Sequence, residues 1–193
     1  SGASDVIRGF YQTTAAADLQ LRNNMFTISR ENPGVAKYLM YWNEAATTYT
    51  SDNNNFYYFT TTGDNHVGYI GASSYTTLAA WQASVGKDLN SYSNDPLYVN
   101  IAAGNFEPSN ASINDRGVAV VPPITVDIRG AARNATTPDI GAFEFAPPVC
   151  VSPPTPGIAT VTETPVCENS LVTLGLDGQT TGDGQTYQIG RAH

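Results

Sequence analysis

Short apolar runs separated by turn-forming residues are the feature that most restricts how this chain can fold. The runs occupy residues 19–26, 38–42, 55–59 and 67–70, with Gly, Asn, Asp or Pro between them. Their centres lie about 10 to 20 residues apart, within the range of repeat folds in which each coil adds one or more short strands. The pattern predicts an all-β fold of stacked short strands.

Asparagine recurs near the ends of these runs, at residues 23–24, 43 and 53–55. An asparagine tolerates left-handed backbone conformation, and its amide can stack on the amide of a neighbouring coil. We therefore expect asparagines at the corners of the fold.

One segment, residues 75–85, has helical periodicity instead. Its apolar residues recur at spacings of three and four: Leu78, Trp81 and Val85. This spacing predicts a short α-helix that Ser73 or Ser74 would cap and Gly86 would end. We expect the helix to cover an apolar edge.

The charge balance argues against several classes of partner. The chain carries 17 acidic and nine basic residues, a formal net charge of -8, and its only lysines are Lys37 and Lys87. Nucleic acids and anionic membrane surfaces both require clustered cations. No stretch approaches the roughly 20 apolar residues of a membrane span. The chain opens without a methionine or a visible signal peptide, so we expect it to be cut from a longer secreted protein.

A change of composition follows Phe145. Residues 146–157 are rich in proline, which removes sheet donors and favours extended chain, so we predict a linker. Cys150 and Cys167 flank most of it, and no histidine lies near enough in sequence to complete a zinc site with them. A disulfide in an oxidising compartment is the favoured interpretation, with two buried free thiols as the alternative; such a short loop would contribute about 3 kcal/mol.

Six segments form an ordered series that resembles a known family. They are YTTLAAWQA at 75–83, DLNS at 88–91, NDPLYV at 94–99, PSNASINDRG at 108–117, VDIRGAAR at 126–133 and PDIGAFEF at 138–145. The series resembles the terminal coils of secreted bacterial right-handed parallel β-helix proteins of the pectate-lyase-like superfamily, also called pectin lyase-like. The match covers roughly residues 18–145. It implies that residues 1–145 are the C-terminal part of such a β-helix.

A second resemblance covers residues 150–188, which look like the opening of the immunoglobulin-like repeats of large bacterial surface proteins. A Trp usually follows the Tyr187–Gln188 pair in that family, whereas Ile189 stands here. Residues 189–193 are similar to what a common sequencing adapter encodes in one reading frame, so we expect read-through and exclude them. Residues 158–188 are too few for a seven-stranded sandwich and are predicted to be a truncated module.

The resemblance implies glycan-cleaving enzymes, but the candidate acids Asp52, Asp64, Asp88 and Asp95 stand in no recognisable motif. We interpret them as solvated loop acids, although Lys37 or Arg22 could serve as a base. His66 is isolated and is expected in a surface turn. We therefore predict no catalytic residue in this segment.

Metal binding is considered at a turn that carries several aspartates in the family. Only Asp127 remains there, while calcium needs six to eight oxygens, so we expect no cofactor, with Ca²⁺ as the sole alternative. We expect ion pairs of Arg129 or Arg133 with Asp139 or Glu144 to close the last coil.

Aromatic residues crowd the first half of the chain, and exposed rings can stack on sugars. The candidates for such a platform are Tyr41, Trp42, Tyr57, Tyr58 and Tyr69. Half of the aromatics should point inward on alternating strands. The sequence thus favours a non-catalytic stalk or presenting surface of a secreted or cell-surface bacterial protein that contacts polysaccharide, cell-surface glycan or other cells. A fragment of a polysaccharide lyase or glycoside hydrolase with its catalytic coils upstream is the first alternative, and a protein-binding adhesin is the second.

Overall fold

A computed structural model describes residues 6–44, 48–148, 158–161 and 174–177. Contacts divide the chain into two units, Ser1–Pro148 and Val149–His193, and the division falls inside the predicted linker, residues 146–157. Cys150, Cys167 and the proposed read-through at 189–193 lie outside the described residues, so the disulfide stays a prediction.

Strands dominate the described part of the first unit, and one short α-helix accompanies them, as an all-β class requires. The strands are β1 (Ile7–Gln12), β2 (Leu19–Arg22), β3 (Met25–Ile28), β4 (Ala36–Trp42), β5 (Tyr49–Asp52), β6 (Asn55–Tyr58), β7 (Asp64–Ile70) and β8 (Ser73–Tyr75). The helix, α1, spans Leu78–Val85, and a single 3-10 turn spans Ile101–Ala103.

Strands β1, β2, β3 and β4 each pair in parallel with the third strand after them. Three sheets result, with β1, β4 and β7 in the first, β2 and β5 in the second, and β3 and β6 in the third. The register is nearly regular. Ile7 pairs with Lys37, Leu19 with Tyr49 and Met25 with Asn55, each 30 positions apart, whereas partners in β4 and β7 lie 28 positions apart. Strands β1, β2 and β3 therefore pair with β4, β5 and β6, and we call each such set of three strands a circuit.

Asparagine corners are confirmed. Asn23 and Asn53 adopt positive φ angles of 57° and 54°, at the turns that follow β2 and β5. The next asparagine of each turn joins the circuits, since the Asn24 side-chain amide donates to Asn54 Oδ1 at 3.1 Å. The predicted single run at 19–26 is thus two strands, divided by a corner in which Asn23 takes the left-handed conformation.

The core lies among the three sheets and includes Leu39, Met40 and Phe56, all with no exposed surface. Leu39 and Met40 are consecutive residues of β4, so strict alternation of inward and outward side chains is interrupted there. Their neighbours in β1 and β7, Phe10 and Val67, belong to the same core. This interruption decides which aromatic residues reach the surface.

The helix begins later than its periodicity predicts. Residues 73–75 form β8, which turns back antiparallel on β7, so the helix starts at Leu78 with the Thr77 side chain accepting from the Ala80 amide at 3.2 Å. Gly86 ends it with a φ angle of 66°, as predicted. Trp81 is fully buried beneath it, against Gly68 of β7.

The second unit has two described strands, β9 (Ile158–Val161) and β10 (Leu174–Asp177). They pair antiparallel, with Val161 opposite Leu174 and Ile158 opposite Asp177. This pairing is compatible with a small β module at residues 158–188, and the identity of that module stays a prediction.

Candidate functional site

The first sheet carries two rows of side chains that run across its strands. One row consists of the register partners Arg8, Tyr38 and His66. The other row consists of the register partners Tyr11, Tyr41 and Tyr69. The rows meet on one face, since the Tyr38 ring contacts those of Tyr41 and Tyr69 at centroid distances of 5.1 and 5.8 Å. We call Tyr11, Tyr38, Tyr41 and Tyr69 the tyrosine ladder.

Ring geometry within the ladder is well defined. Tyr41 and Tyr69 are stacked, with centroids 4.2 Å apart and planes 11° from parallel. Tyr11 meets Tyr41 edge to face at 5.4 Å and is the most open member, with 46% of its surface exposed. Tyr38 is mostly buried beneath these rings, and its hydroxyl lies 3.2 Å from Ser74 Oγ of β8.

Charged groups lie at both ends of the ladder. The Arg8 guanidinium sits 4.4 Å from the ring centroids of both Tyr11 and Tyr41, a cation–π arrangement. His66 stacks on Tyr38 at 4.8 Å, and its Nε2 lies 2.9 Å from Asp64 Oδ2. The hydrogen bond with Tyr41, together with partial burial, raises the pKa of Tyr69, so its phenol is neutral at ordinary pH.

The exposed part of the ladder can bind a ligand in two ways. One face of the Tyr41 ring is covered by Tyr69 and the ring also meets Arg8 and Tyr11, so it offers mainly its edge and hydroxyl. Tyr69 is paired across the strands with exposed Ser74, a small residue. A flat ligand therefore has room over Tyr69, while hydroxyls and the Arg8 cation can hydrogen-bond along the row.

The structure separates the five aromatic candidates. Tyr41 and Tyr69 belong to the ladder, but Trp42 is fully buried and stacks on Tyr49 at 3.9 Å, so it offers no surface for a sugar. The Tyr58 hydroxyl donates to the Lys37 and His66 carbonyls, and burial raises the pKa of this phenol. Burial thus takes Trp42 out of the platform, whereas Tyr58 is half-buried against the core and its role in the platform stays a prediction.

Tyr57 lies outside the ladder, on β6 of another sheet. Its hydroxyl donates to Asp95 Oδ2 at 3.1 Å, and its ring meets Phe59 edge to face. Sequence reasoning missed Arg8, Tyr11 and Tyr38. The signal that could have found Tyr11 is the 30-position repeat, which places the FYQ motif at 10–12 on the MYW motif at 40–42.

Asp88 is the most buried of the four candidate acids. Its Oδ1 accepts from Ser51 Oγ, Ser91 Oγ and Asn54 Nδ2 at 2.8 to 3.0 Å, and Oδ2 accepts from Trp81 Nε1 at 2.9 Å. A carboxylate with four donors is held in one position as an acceptor. Asp88 is therefore a structural hub rather than the solvated loop acid that the sequence suggested.

The other candidates are held by partners of their own. Asp52 accepts from the Asn90 amide and side chain at 2.7 and 2.8 Å, and Asp95 accepts from Tyr57 and the Leu97 amide. Lys37 is fully buried and donates to main-chain carbonyls, 3.5 Å from that of Asn32 and closer to that of Thr62. His66 is also buried, within β7 rather than in a surface turn.

Asp115, Asp139 and Glu144 bring carboxylate oxygens within 4.8 Å of one another. These oxygens already have donors, since Asp139 accepts from the Phe145 and Asp115 amides and Glu144 from the Asn134 and Asp139 amides. Burial raises the pKa of Asp139. The neighbouring Glu144 and Asp115 carboxylates also raise it, and together these effects outweigh the amide bonds, which lower it. Main-chain donors therefore hold the Asp139 and Glu144 carboxylates in fixed positions.

One of the predicted ion pairs forms: Arg133 Nε lies 3.5 Å from Glu144 Oε2. Arg129 instead pairs with Glu107. Asp127 accepts from the Arg129 and Ala131 amides at 2.8 Å and the Glu144 amide at 3.1 Å. Burial acts to raise the pKa of Asp127, but these amide bonds outweigh it and lower the pKa overall.

Within the described residues, no helix is long and apolar enough to cross a membrane. Comparison of the chain with protein-family models, curated proteins and solved structures gave no match.

Proposed function

We propose that residues 1–145 are coils of a right-handed parallel β-helix in a secreted or cell-surface protein, and that the tyrosine ladder is a non-catalytic surface for polysaccharide. Support for the β-helix comes from the parallel pairing of β1 to β4 with the third strand after each, at an offset of 30 positions in three pairs and 28 in the fourth. The resemblance of residues 18–145 supplies the handedness and the extracellular setting.

The outward tyrosine ladder is the single observation that carries the binding proposal. Parallel pairing places one tyrosine per strand, and neighbouring strands lie about 4.8 Å apart, so the row extends across the sheet. Aromatic side chains combine an apolar surface with a hydroxyl that hydrogen-bonds, which suits a sugar's apolar face and its polar rim. A chain of sugars would lie along this row, over Tyr69 and Tyr11 and beside Arg8.

The state of the acids supports binding without cleavage. Glycoside hydrolysis needs two carboxylates that face each other across the bond, about 5 to 9.5 Å apart. Asp52, Asp88 and Asp95 are each engaged by separate structural donors, and Asp64 is engaged by His66. The enzyme alternative therefore finds no support in the geometry of these four residues.

The experiment is affinity electrophoresis of the full chain in gels that contain each of a panel of neutral and acidic polysaccharides. We expect retardation by at least one polysaccharide. Tyr69→Ala and Tyr11→Ala should each reduce the apparent affinity about fivefold, since losing a stacked ring costs on the order of 1 kcal/mol. Tyr92→Ala is the matched control, because Tyr92 is half-buried and belongs to no ring pair of the described chain.

A soluble-product assay with and without Ca²⁺ runs on the same samples. Release of oligosaccharides would overturn the non-catalytic proposal and revive the enzyme alternative. If both ladder variants are retarded as strongly as the wild-type chain, the ladder is not the binding surface.

The adhesin alternative has one observation in its favour. Val121, Ile124 and Ile128 are exposed by 95%, 64% and 70%, an apolar segment of the kind that protein partners cover. Absence of polysaccharide binding by the wild-type chain would make this alternative the better one.

A further inference from the structure

A cleft of about 730 Å³ opens between the turn that joins β2 to β3 and the loops that follow α1. Its lining comes from residues 22–26, 98–108, 119–128 and 133–143. Pockets that bind small ligands have volumes of about 300–1,000 Å³, so the cleft has the size of a ligand site. None of the ladder tyrosines lines it.

Aromatic and aliphatic side chains form most of the cleft wall. Phe26 stacks on Phe56 with centroids 5.2 Å apart and planes 6° from parallel, which fixes its orientation. Tyr98 and Phe106 stand perpendicular at 5.5 Å, and 51% of Phe106 is exposed. Ile124 and Phe143 also line the wall. These surfaces favour a ligand with a flat apolar body.

Most charged groups of the cleft are already committed. Arg133 donates from Nη1 to the Gly141 carbonyl at 3.0 Å and from Nη2 to the Asp139 carbonyl at 2.5 Å, and it pairs with Glu144. The Asp127 carboxylate accepts three main-chain amides. Neither group is available to compensate a ligand charge.

Arg22 is the exception. Its Nε is buried without a hydrogen-bond partner, and the guanidinium takes part in no ion pair or cation–π contact among the described residues. Its register partner across the strands is Asp52, but both Asp52 oxygens accept from Asn90 at 2.7 and 2.8 Å. In a chain of net charge -8, an uncommitted guanidinium beside an apolar cleft points to an anion.

We infer that this cleft binds a small aromatic carboxylate, with its carboxylate on Arg22 and its ring against Tyr98 and Phe106. The planar guanidinium matches a carboxylate with two parallel hydrogen bonds, and apolar surroundings strengthen that pair. The ring replaces water on the exposed face of Phe106. This site is independent of the tyrosine ladder and of the polysaccharide proposal.

The test is titration calorimetry of the full chain with trans-cinnamate and with cinnamamide, its neutral isostere. We expect the wild-type chain to bind cinnamate at least tenfold more tightly than the amide, an advantage that falls as salt is raised. Arg22→Gln should abolish this preference, and Arg22→Lys should keep part of it. Arg30→Gln is the matched control, because Arg30 is exposed and does not line the cleft.

Phe106→Glu is a second test variant that keeps the inference testable if Arg22→Gln does not fold. It is expected to fold because Phe106 is half-exposed and contributes little to the core. The added carboxylate should weaken binding of cinnamate more than binding of the amide. Equal affinity of the wild-type chain for acid and amide, no binding of either, or an unchanged preference in folded Arg22→Gln would each overturn the inference.

Discussion

At the scale of single residues, buried polar side chains of the described chain form hydrogen bonds to partners that are distant in sequence. Asp88 gathers Ser51, Asn54, Ser91 and Trp81 into one junction between a circuit and the helix. Such junctions are difficult to predict from sequence, because their donors are up to 37 positions away. The asparagine corners could be predicted because their cause, tolerance of positive φ, is local.

Removing the Asp88 carboxylate should destabilise the fold strongly. Asp88→Ala removes the acceptor shared by four donors, and we expect a loss of about 3 kcal/mol in the free energy of unfolding. Asp88→Asn keeps the shape and one oxygen, so it should cost about half as much. Urea unfolding followed by tryptophan fluorescence measures both. Asp52→Asn, in a more exposed position, serves as control and should cost less than about 1 kcal/mol.

Asp127 gives the fold a pH dependence of defined sign. Because its pKa is lowered in the folded chain, the carboxylate contributes stability above the ordinary value of 3.8, and that contribution is lost as the pH falls through the lowered folded pKa. Asp127→Asn should therefore be less stable than wild type at pH 7, with a difference that shrinks below pH 3.8. Thermal unfolding across pH 2–7 tests this, and a constant difference would contradict it.

At the scale of elements, interruptions of regular patterns limited what could be predicted. Consecutive core residues at Leu39 and Met40 break the alternation of β4, so Trp42 faces inward although Tyr41 is on the surface. The spacing predicted the helix, but it placed the start at residue 75 rather than at Leu78. Residues 73–75 instead form β8 and pair with β7. Competition from tertiary pairing is not visible in local periodicity.

The contact of α1 with β7 depends on a missing side chain. A Cβ at Gly68 would lie 2.4 and 2.5 Å from two carbons of the Trp81 ring, which is fully buried. Gly68→Ala should therefore displace the helix and cost about 1–3 kcal/mol. Trp81→Leu in the same background should relieve the overlap, so that the two changes are not additive in urea unfolding. Strict additivity would show that the contact is not tight.

At the scale of the whole molecule, the all-β class follows from the strand pattern, whereas the β-helix and the truncated module depend on resemblance and stay proposals. Strand pattern could predict the class because short apolar runs need partners. It could not predict which partners, since the pairing depends on circuit length. The candidate site shows the same limit: Tyr41 and Tyr69 were selected as aromatics, but their stacking required the register.

Strands β1, β2 and β3 are each paired on one side only within the described residues. Unpaired edges accept strands of other chains, so we expect the chain to self-associate with rising concentration. Gln20→Lys places a charge on the exposed side of β2 and should shift the equilibrium toward monomer. Sedimentation velocity between micromolar and high-micromolar concentration measures this, and a monodisperse wild-type monomer throughout would exclude it.

The 30-position offset shared by three strand pairs also bears on how such a protein can change in evolution. Ile7, Leu19 and Met25 each meet a partner 30 positions later, so an in-frame duplication of one such unit adds a whole layer without altering the faces of existing strands. A change of two positions between strands leaves the pairing intact, as the 28-position step from Ala36 to Asp64 illustrates. The number of tyrosines in the row would then be set by gene duplication. Each added layer would lengthen by one residue the surface that a bound ligand can contact.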